Sequence, residues 1–145
     1  KIPGPRQEIV NHISCLVAPS QFRLPWTHEH MLKLNRYLLK GTGEDQGSEG
    51  YKTEQNAVYS DAGAEIFVPT PPMHVRDEMR SLLDWVNGPA RAFDPIVAAT
   101  VFFHEFESIH PFAGGNGRTG RCLFHLLLQN SDLPNSNLCE IDRFV

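Results

Sequence analysis

The chain has 145 residues, of which 41% are hydrophobic, 21% charged and 10% aromatic, and it carries a net charge of −4. A chain of this length removes about 70% of its unfolded surface from water, enough for one apolar core without a metal or disulfide staple. The composition excludes a disordered or fibrous protein, and 13 basic against 17 acidic residues with no block of like charge give no electrostatic footprint for nucleic acid or anionic lipid.

Cys15, Cys122 and Cys139 are odd in number, widely spaced and outside any C-x-x-C arrangement, so reduced thiols are expected rather than a disulfide framework or zinc site. No apolar run reaches the ~18 residues of a membrane helix. The N-terminus has no signal-peptide pattern. A cytoplasmic protein is expected, or a secreted effector if a longer chain carries a signal. Because the chain starts at Lys1 without a methionine and ends on Phe144 and Val145, residues 1–145 are expected to be one domain cut from something longer.

The first helix is predicted to start near Pro5, with Ile9, Val10, Ile13, Leu16 and Val17 forming one apolar stripe at helical period. Pro19 and Ser20 end it. Thr27 reads as the N-cap of a second helix carrying Met31, Leu34, Leu38 and Leu39 and stopping at Gly41. His28 and His30, which open it, are expected to be exposed. Gly41 to Gly50 has no apolar residue and reads as an exposed loop. Ala57 to Tyr59 and Glu65 to Val68 then flank Ser60, Asp61, Ala62, Gly63 and Ala64 as a β-hairpin. Two strands are marginal alone, so the hairpin must lean on the helices or wait for a partner.

After Pro69, Pro71 and Pro72 a third helix turns Val75, Met79, Leu82, Leu83 and Val86 inward and ends at Asn87, Gly88 and Pro89. A fourth helix has Asp94 as N-cap and Pro95 at its first position. Its inward face is predicted to carry Val97 or Ala98, Val101 or Phe102, Phe106 and Ile109. It must end near His110, because Pro111 disfavours α geometry before it. The fifth helix, with Cys122, Leu123, Phe124, Leu126, Leu127 and Leu128, is apolar nearly all round, as a buried central helix is.

Between the last two helices lies HPFAGGNGRTGR, residues 110–121. Gly115, Gly117 and Gly120 match G-x-G-x-x-G, but a dinucleotide fold needs a strand before the first glycine, and Phe102 to Ile109 fails period-two sorting. The physics of the segment survives without that fold. Glycines before a buried helix leave backbone N–H groups pointing into a shared hollow that favours an anion. Arg118 and Arg121, three residues apart, can reach the same anion with planar donor forks, which points to a di- or triphosphate. His110, at the rim, could take a proton from an attacking hydroxyl, or simply favour the helix C-terminus. Metal motifs fail here: Glu107 and His110 form one Glu-x-x-His without a second, and His104-Glu105 lacks a histidine at position 108.

The same stretch resembles the signature of Fic proteins, His-Pro-Phe-x-(Asp/Glu)-Gly-Asn-(Gly/Lys)-Arg-x-x-Arg, matched by His110, Pro111, Phe112, Gly115, Asn116, Gly117, Arg118 and Arg121. KTEQNAVYSDAGAEIFVPTPP resembles the family's hairpin flap, placed at about residues 51–68. The resemblance implies a mainly α fold, a Fic-type helical core with a small β-hairpin flap. It also implies a protein adenylyltransferase, a nucleotidyltransferase that moves AMP from ATP to a Ser, Thr or Tyr hydroxyl of a target protein. By that analogy His110 is the general base, and Gly115, Asn116 and Gly117 hold the phosphates. Arg118 stabilises the transferring phosphate and the leaving pyrophosphate, and Arg121 holds the terminal phosphate. The flap, at Ala57, Val58 and Tyr59, aligns the target by strand addition. Gly117, where kinase relatives of the phage toxin Doc type carry lysine, favours nucleotidyl transfer.

One position departs from the signature. Where the family carries the Asp or Glu that ligates Mg²⁺, this chain has Gly114. Three explanations stay open: a weakened or inactive enzyme, a metal-sparing mode in which arginines carry the charge, or a carboxylate from elsewhere, such as Glu54 or Asp61. The alternatives to adenylyl transfer are a nucleotide-binding regulatory module and transfer of another phosphate-containing group, UMP or phosphocholine. Family members are often restrained by a helix bearing (Ser/Thr)-x-x-x-Glu-(Gly/Asn); Ser136 to Ile141 comes near but ends in isoleucine. Any inhibition is therefore expected from an antitoxin or an inhibitory helix outside this chain.

Overall fold

Local signals set the helix boundaries. The structure, a computed structural model, describes residues 4–17, 19–44 and 49–133. It runs α1 (Gly4–Val17), a 3₁₀ turn (Pro19–Phe22), α2 (His28–Leu39), β1 (Val58–Tyr59), β2 (Glu65–Phe67), α3 (Pro72–Asn87), a second 3₁₀ turn (Pro89–Ala92), α4 (Pro95–Ile109) and α5 (Asn116–Gln129). The expected class, mainly α with a small hairpin, is the observed one. The sheet among the described residues is a two-stranded antiparallel ribbon, not the parallel sheet of a dinucleotide fold.

Both predicted N-caps form. The Thr27 side chain accepts from the His30 N–H at 3.4 Å, and the Thr27 N–H donates to His30 Nδ1 at 3.1 Å, a reciprocal capping box. Asp94 accepts from the Ile96 and Val97 N–H groups, with Pro95 at the first turn. The cap corrects the reading of the two histidines as exposed. His30 is half-buried within it, and His28 is half-buried with its Nδ1 2.7 Å from the Tyr51 hydroxyl.

The inward faces of α2 and α3 are the predicted ones. On α4 the alternatives resolve toward Phe102. Ala99, Phe102, Phe106 and Ile109 are buried while Val97 and Val101 face outward. The buried helix α5 packs on α4, α1 and α2. Rings of Phe102, Phe106 and Phe112 follow one another at centroid spacings of 6.2 and 6.4 Å. Phe112 thereby anchors the loop after α4 in the core, where it is 2% exposed.

Of the predicted stripe on α1 only Leu16 packs against the core. Ile9, Val10, Ile13 and Val17 are exposed, and the residues buried are Asn11 and Cys15. Asn11 Nδ2 donates to the carbonyls of Leu38 and Lys40 at 3.0 and 2.9 Å, two of the groups that the end of α2 leaves without intrahelical partners. Cys15 sits against Cys122, and Gln129 donates to Leu16 O at 3.1 Å. These contacts rotate the helix so that a polar residue faces inward. Cys15 and Cys122 are free thiols, as expected.

The hairpin forms where predicted. Val58 pairs with Phe67 and Tyr59 with Glu65, so Ile66 is an extra residue in β2. Gly63, at φ 77°, supplies the left-handed step of its turn.

Candidate functional site

The loop between α4 and α5 is fixed by two left-handed residues. His110, the C-cap of α4, has φ 50° and ψ 61°, and its N–H donates to Phe106 O at 2.9 Å. Gly115, the N-cap of α5, has φ 73°. A Cβ there would meet Leu39 Cδ2 at 2.8 Å, so glycine is required both by the backbone and by the wall behind it. Asn116 closes the loop from within. Its Oδ1 accepts from the Phe112 N–H and its Nδ2 donates to Phe112 O, both at 2.8 Å. From α2, Asn35 Nδ2 donates to Gly114 O at 3.0 Å and to Thr119 Oγ1 at 3.1 Å.

Beyond Gly115, which offers no side-chain cap, the N–H groups of the first turn of α5 have no intrahelical acceptor, the arrangement that attracts an anion. Arg118 and Arg121 line one cavity of about 240 Å³ with Glu8, Ile9, His12, Ile13 and Leu38. Both arginines line this one cavity, which is built from α1, α2 and α5. Arg118 already holds two carboxylates. Its Nη1 lies 3.2 Å from Glu8 Oε1, and its Nη2 donates to Glu44.

Gly114 lies at the same place. A Cβ at that position would be 3.8 Å from Glu44 Oε2. Glu44, rather than Glu54 or Asp61, is thus the carboxylate that the fold brings against position 114. Among the described residues no group of three or more His, Cys, Asp and Glu side chains could hold a metal ion.

His110 is about one-fifth exposed at the rim, with Nδ1 3.6 Å from Glu107 Oε2, beyond hydrogen-bond length. Behind the loop lies Lys52, buried at 5% exposure, whose Nζ donates to Asn56 Oδ1 at 2.6 Å and to Ile109 O at 3.2 Å. Burial pulls its pKa down from 10.5 to about 8, against the opposing field of Glu78. Burial also lowers the pKa of His28 and raises that of Tyr51, which packs on Phe112 at 5.5 Å. In the flap, Ala57 and Val58 are half-buried and Tyr59 is exposed.

The sequence reading missed Glu8, Asn35, Glu44, Lys52 and Asn56. One signal was available: Lys52 and Asn56 are polar residues in the segment entering a hairpin too small to stand alone. Ser136 to Ile141 and Cys139 lie outside the described residues.

The fold is that of a mainly helical protein with a glycine-bounded loop feeding the N-terminus of a buried helix and a hairpin beside that loop. The sequence matches the model of the Fic/DOC family over residues 25–128, and the chain belongs to that family. It is 36% identical over 107 residues to "Protein adenylyltransferase fic-1" of Caenorhabditis briggsae, covering 73% of this chain and 20% of that protein. It is 31% identical over 113 residues to "Protein adenylyltransferase Fic" of Drosophila willistoni, covering 77% and 21%. The chain thus spans about a fifth of the length of these relatives. Among solved structures, a Fic family protein from Desulfovibrio desulfuricans superimposes with a TM-score of 0.74 at 29% identity, over 90% of this chain and 38% of that one. A Fic domain containing signaling protein from Bacteroides thetaiotaomicron gives 0.72 at 27% identity, over 90% and 49%.

Proposed function

We propose that the chain is the core of a protein adenylyltransferase that moves AMP from ATP to a Ser, Thr or Tyr hydroxyl of a target protein. The observation that carries this reading is the pairing of Arg118 and Arg121 in one cavity against α5, together with the uncapped first turn of that helix and His110 at the end of α4 just before it. The names of the relatives support the same chemistry. The target oxygen attacks the α-phosphorus, its proton passes to His110, and the bond from that phosphorus to the pyrophosphate oxygen breaks. Backbone N–H groups over Gly115, Asn116 and Gly117 and the two guanidinium groups stabilise the charge that develops on the phosphates. Asn116 contributes through its backbone, because its side-chain amide is engaged by Phe112. The flap at Ala57, Val58 and Tyr59 aligns the target backbone by strand addition.

Of the two carboxylates at Arg118, Glu44 is the one beside position 114 and would hold magnesium, since Gly114 brings no oxygen ligand from its side chain and one or two carboxylates beside substrate phosphates suffice for the ion. When bound, the ion screens phosphate charge. Labelling with α-phosphate-labelled ATP tests the reading: His110→Ala is expected to lower incorporation into protein by about 10²- to 10⁴-fold. Equal labelling by the variant removes His110 from its role.

Gly114 and the carboxylates on Arg118 favour one second reading, a nucleotide-binding module that regulates a partner without transfer. Gly114→Asp separates the two. A large gain in magnesium-dependent labelling supports the transferase, whereas ATP binding without labelling in both proteins supports the module. An inhibitory antitoxin or helix from outside this chain remains part of the proposal as the restraint on either activity.

A further inference from the structure

Four consecutive carbonyl groups, those of Ile109, His110, Pro111 and Phe112, accept hydrogen bonds from two residues of the segment entering the hairpin. Lys52 Nζ donates to Ile109 O at 3.2 Å, and the Lys52 N–H donates to Pro111 O at 2.8 Å. Asn56 Nδ2 donates to His110 O at 3.4 Å and to Phe112 O at 3.1 Å. Asn56 Oδ1 accepts from Lys52 Nζ at 2.6 Å, which joins the two side chains into one unit.

A buried ammonium is costly unless it is fully hydrogen-bonded, so its placement here calls for a physical reason. Part of the reason is local, because the C-terminal carbonyls of α4 favour a cation. The rest lies in what the lysine grips. His110 is a non-glycine residue in the left-handed region, a conformation that costs of order 1–3 kcal/mol and persists only where its surroundings over-determine it.

We infer that Lys52 and Asn56 are positioning residues that hold His110 in its left-handed conformation and so aim its imidazole across the N-terminus of α5. This rests on the reading of His110 as the base. Without the grip, Pro111 still bars ordinary α geometry at His110, so the residue relaxes toward extended backbone and its Cα–Cβ direction turns. A displacement of about 1 Å at a reacting group costs roughly 10²-fold in rate. The phosphate side of the loop has its own holds, Asn35 on Gly114 O and Thr119, and Asn116 on the Phe112 N–H, and shares with the grip only the Phe112 carbonyl, which Asn116 also engages. The two halves of the site therefore respond differently to loss of the grip. Lys52 and Asn56 also precede β1, so a chain added to the flap is linked to the backbone of His110 through two side chains.

The test uses Lys52→Met and Asn56→Ala, with Lys52→Arg as the conservative variant. Expected is a fall of roughly 10²-fold in kcat for AMP transfer in the first two, unchanged calorimetric affinity for ATP, and recovery of most of the loss in Lys52→Arg. In parallel, the imidazole NMR signals of His110, assigned with His110→Ala, are expected to move in both variants while the indole signal of buried Trp26 stays. Folded variants with unchanged kcat, unmoved His110 signals, or ATP affinity falling in step with kcat overturn the inference. If Lys52→Met does not fold, Asn56→Ala, altered at a half-buried side chain, decides. If the unmodified protein transfers nothing, the proposed activity fails, and the His110 signals still decide the grip.

Discussion

Gly114, Gly115 and Gly117 read as one cluster in the sequence, yet they answer to different constraints. Gly115 combines φ 73° with a wall 2.8 Å from where its Cβ would be, whereas a Cβ on Gly114 meets nothing closer than 3.8 Å. Gly115→Ala is expected to cost about 1–3 kcal/mol in chemical denaturation and Gly114→Ala to change little. Equal costs at the two positions contradict this assignment. The sequence indicates a tight loop because glycines cluster there, but which glycine is indispensable depends on Leu39, 76 positions away. Lys52 was legible only as a polar residue at the entry to a small hairpin, since nothing local shows that a distant loop will bury it. Its pKa of about 8 when folded, against 10.5 when exposed, means that the unfolded chain binds more protons between those values. Stability attributable to Lys52 therefore rises with pH from about 8 to about 10.5 and is constant below that window. Urea unfolding across this range is expected to show the native protein gaining on Lys52→Met. A flat difference counts against the buried, depressed ammonium.

At the scale of elements, periodicity succeeded for α3 and failed for α1. Both have an apolar stripe at helical spacing, but α3 has all of its stripe on the side that packs, whereas α1 has only Leu16 there. The face of α1 is chosen by the unpaired carbonyls at the end of α2, which Asn11 satisfies, and by the seat of Cys15 against Cys122. An amphipathic count rewards hydrophobicity and has no term for a buried polar group with two partners. Asn11→Ala is therefore expected to destabilise the fold by about 1–3 kcal/mol, the cost of leaving buried carbonyls unsatisfied. Ile13→Ser, on the exposed stripe, should stay within about 0.5 kcal/mol. Thermal unfolding of both variants checks the orientation, and the reverse order would restore the face that the sequence suggested. The caps of α2 and α4 were legible because Thr27 and Asp94 act within three residues of themselves.

At the scale of the whole molecule, the cavity at Arg118 and Arg121 lies between α1, α2 and α5, and α1 and the loop after α2 each bring a carboxylate to Arg118. Nucleotide phosphates entering the hollow compete with Glu8 and Glu44 for one guanidinium. The ion pair to Glu44 is half exposed and partly screened by solvent, so the competition is worth about 0–1 kcal/mol per pair. Replacing both acids, Glu8→Gln with Glu44→Gln, is expected to raise the affinity for metal-free ATP by about two- to tenfold in calorimetry. Adding Mg²⁺ reverses the ranking if Glu44 is the carboxylate that serves the ion. The native protein then gains more from the metal than the double variant does, because only it retains an oxygen ligand beside Gly114. If the double variant binds metal-free ATP no better than the native protein, Arg118 is not the shared group. If Mg²⁺ strengthens both proteins equally, Glu44 is only a counter-ion of Arg118, and position 114 works without a carboxylate.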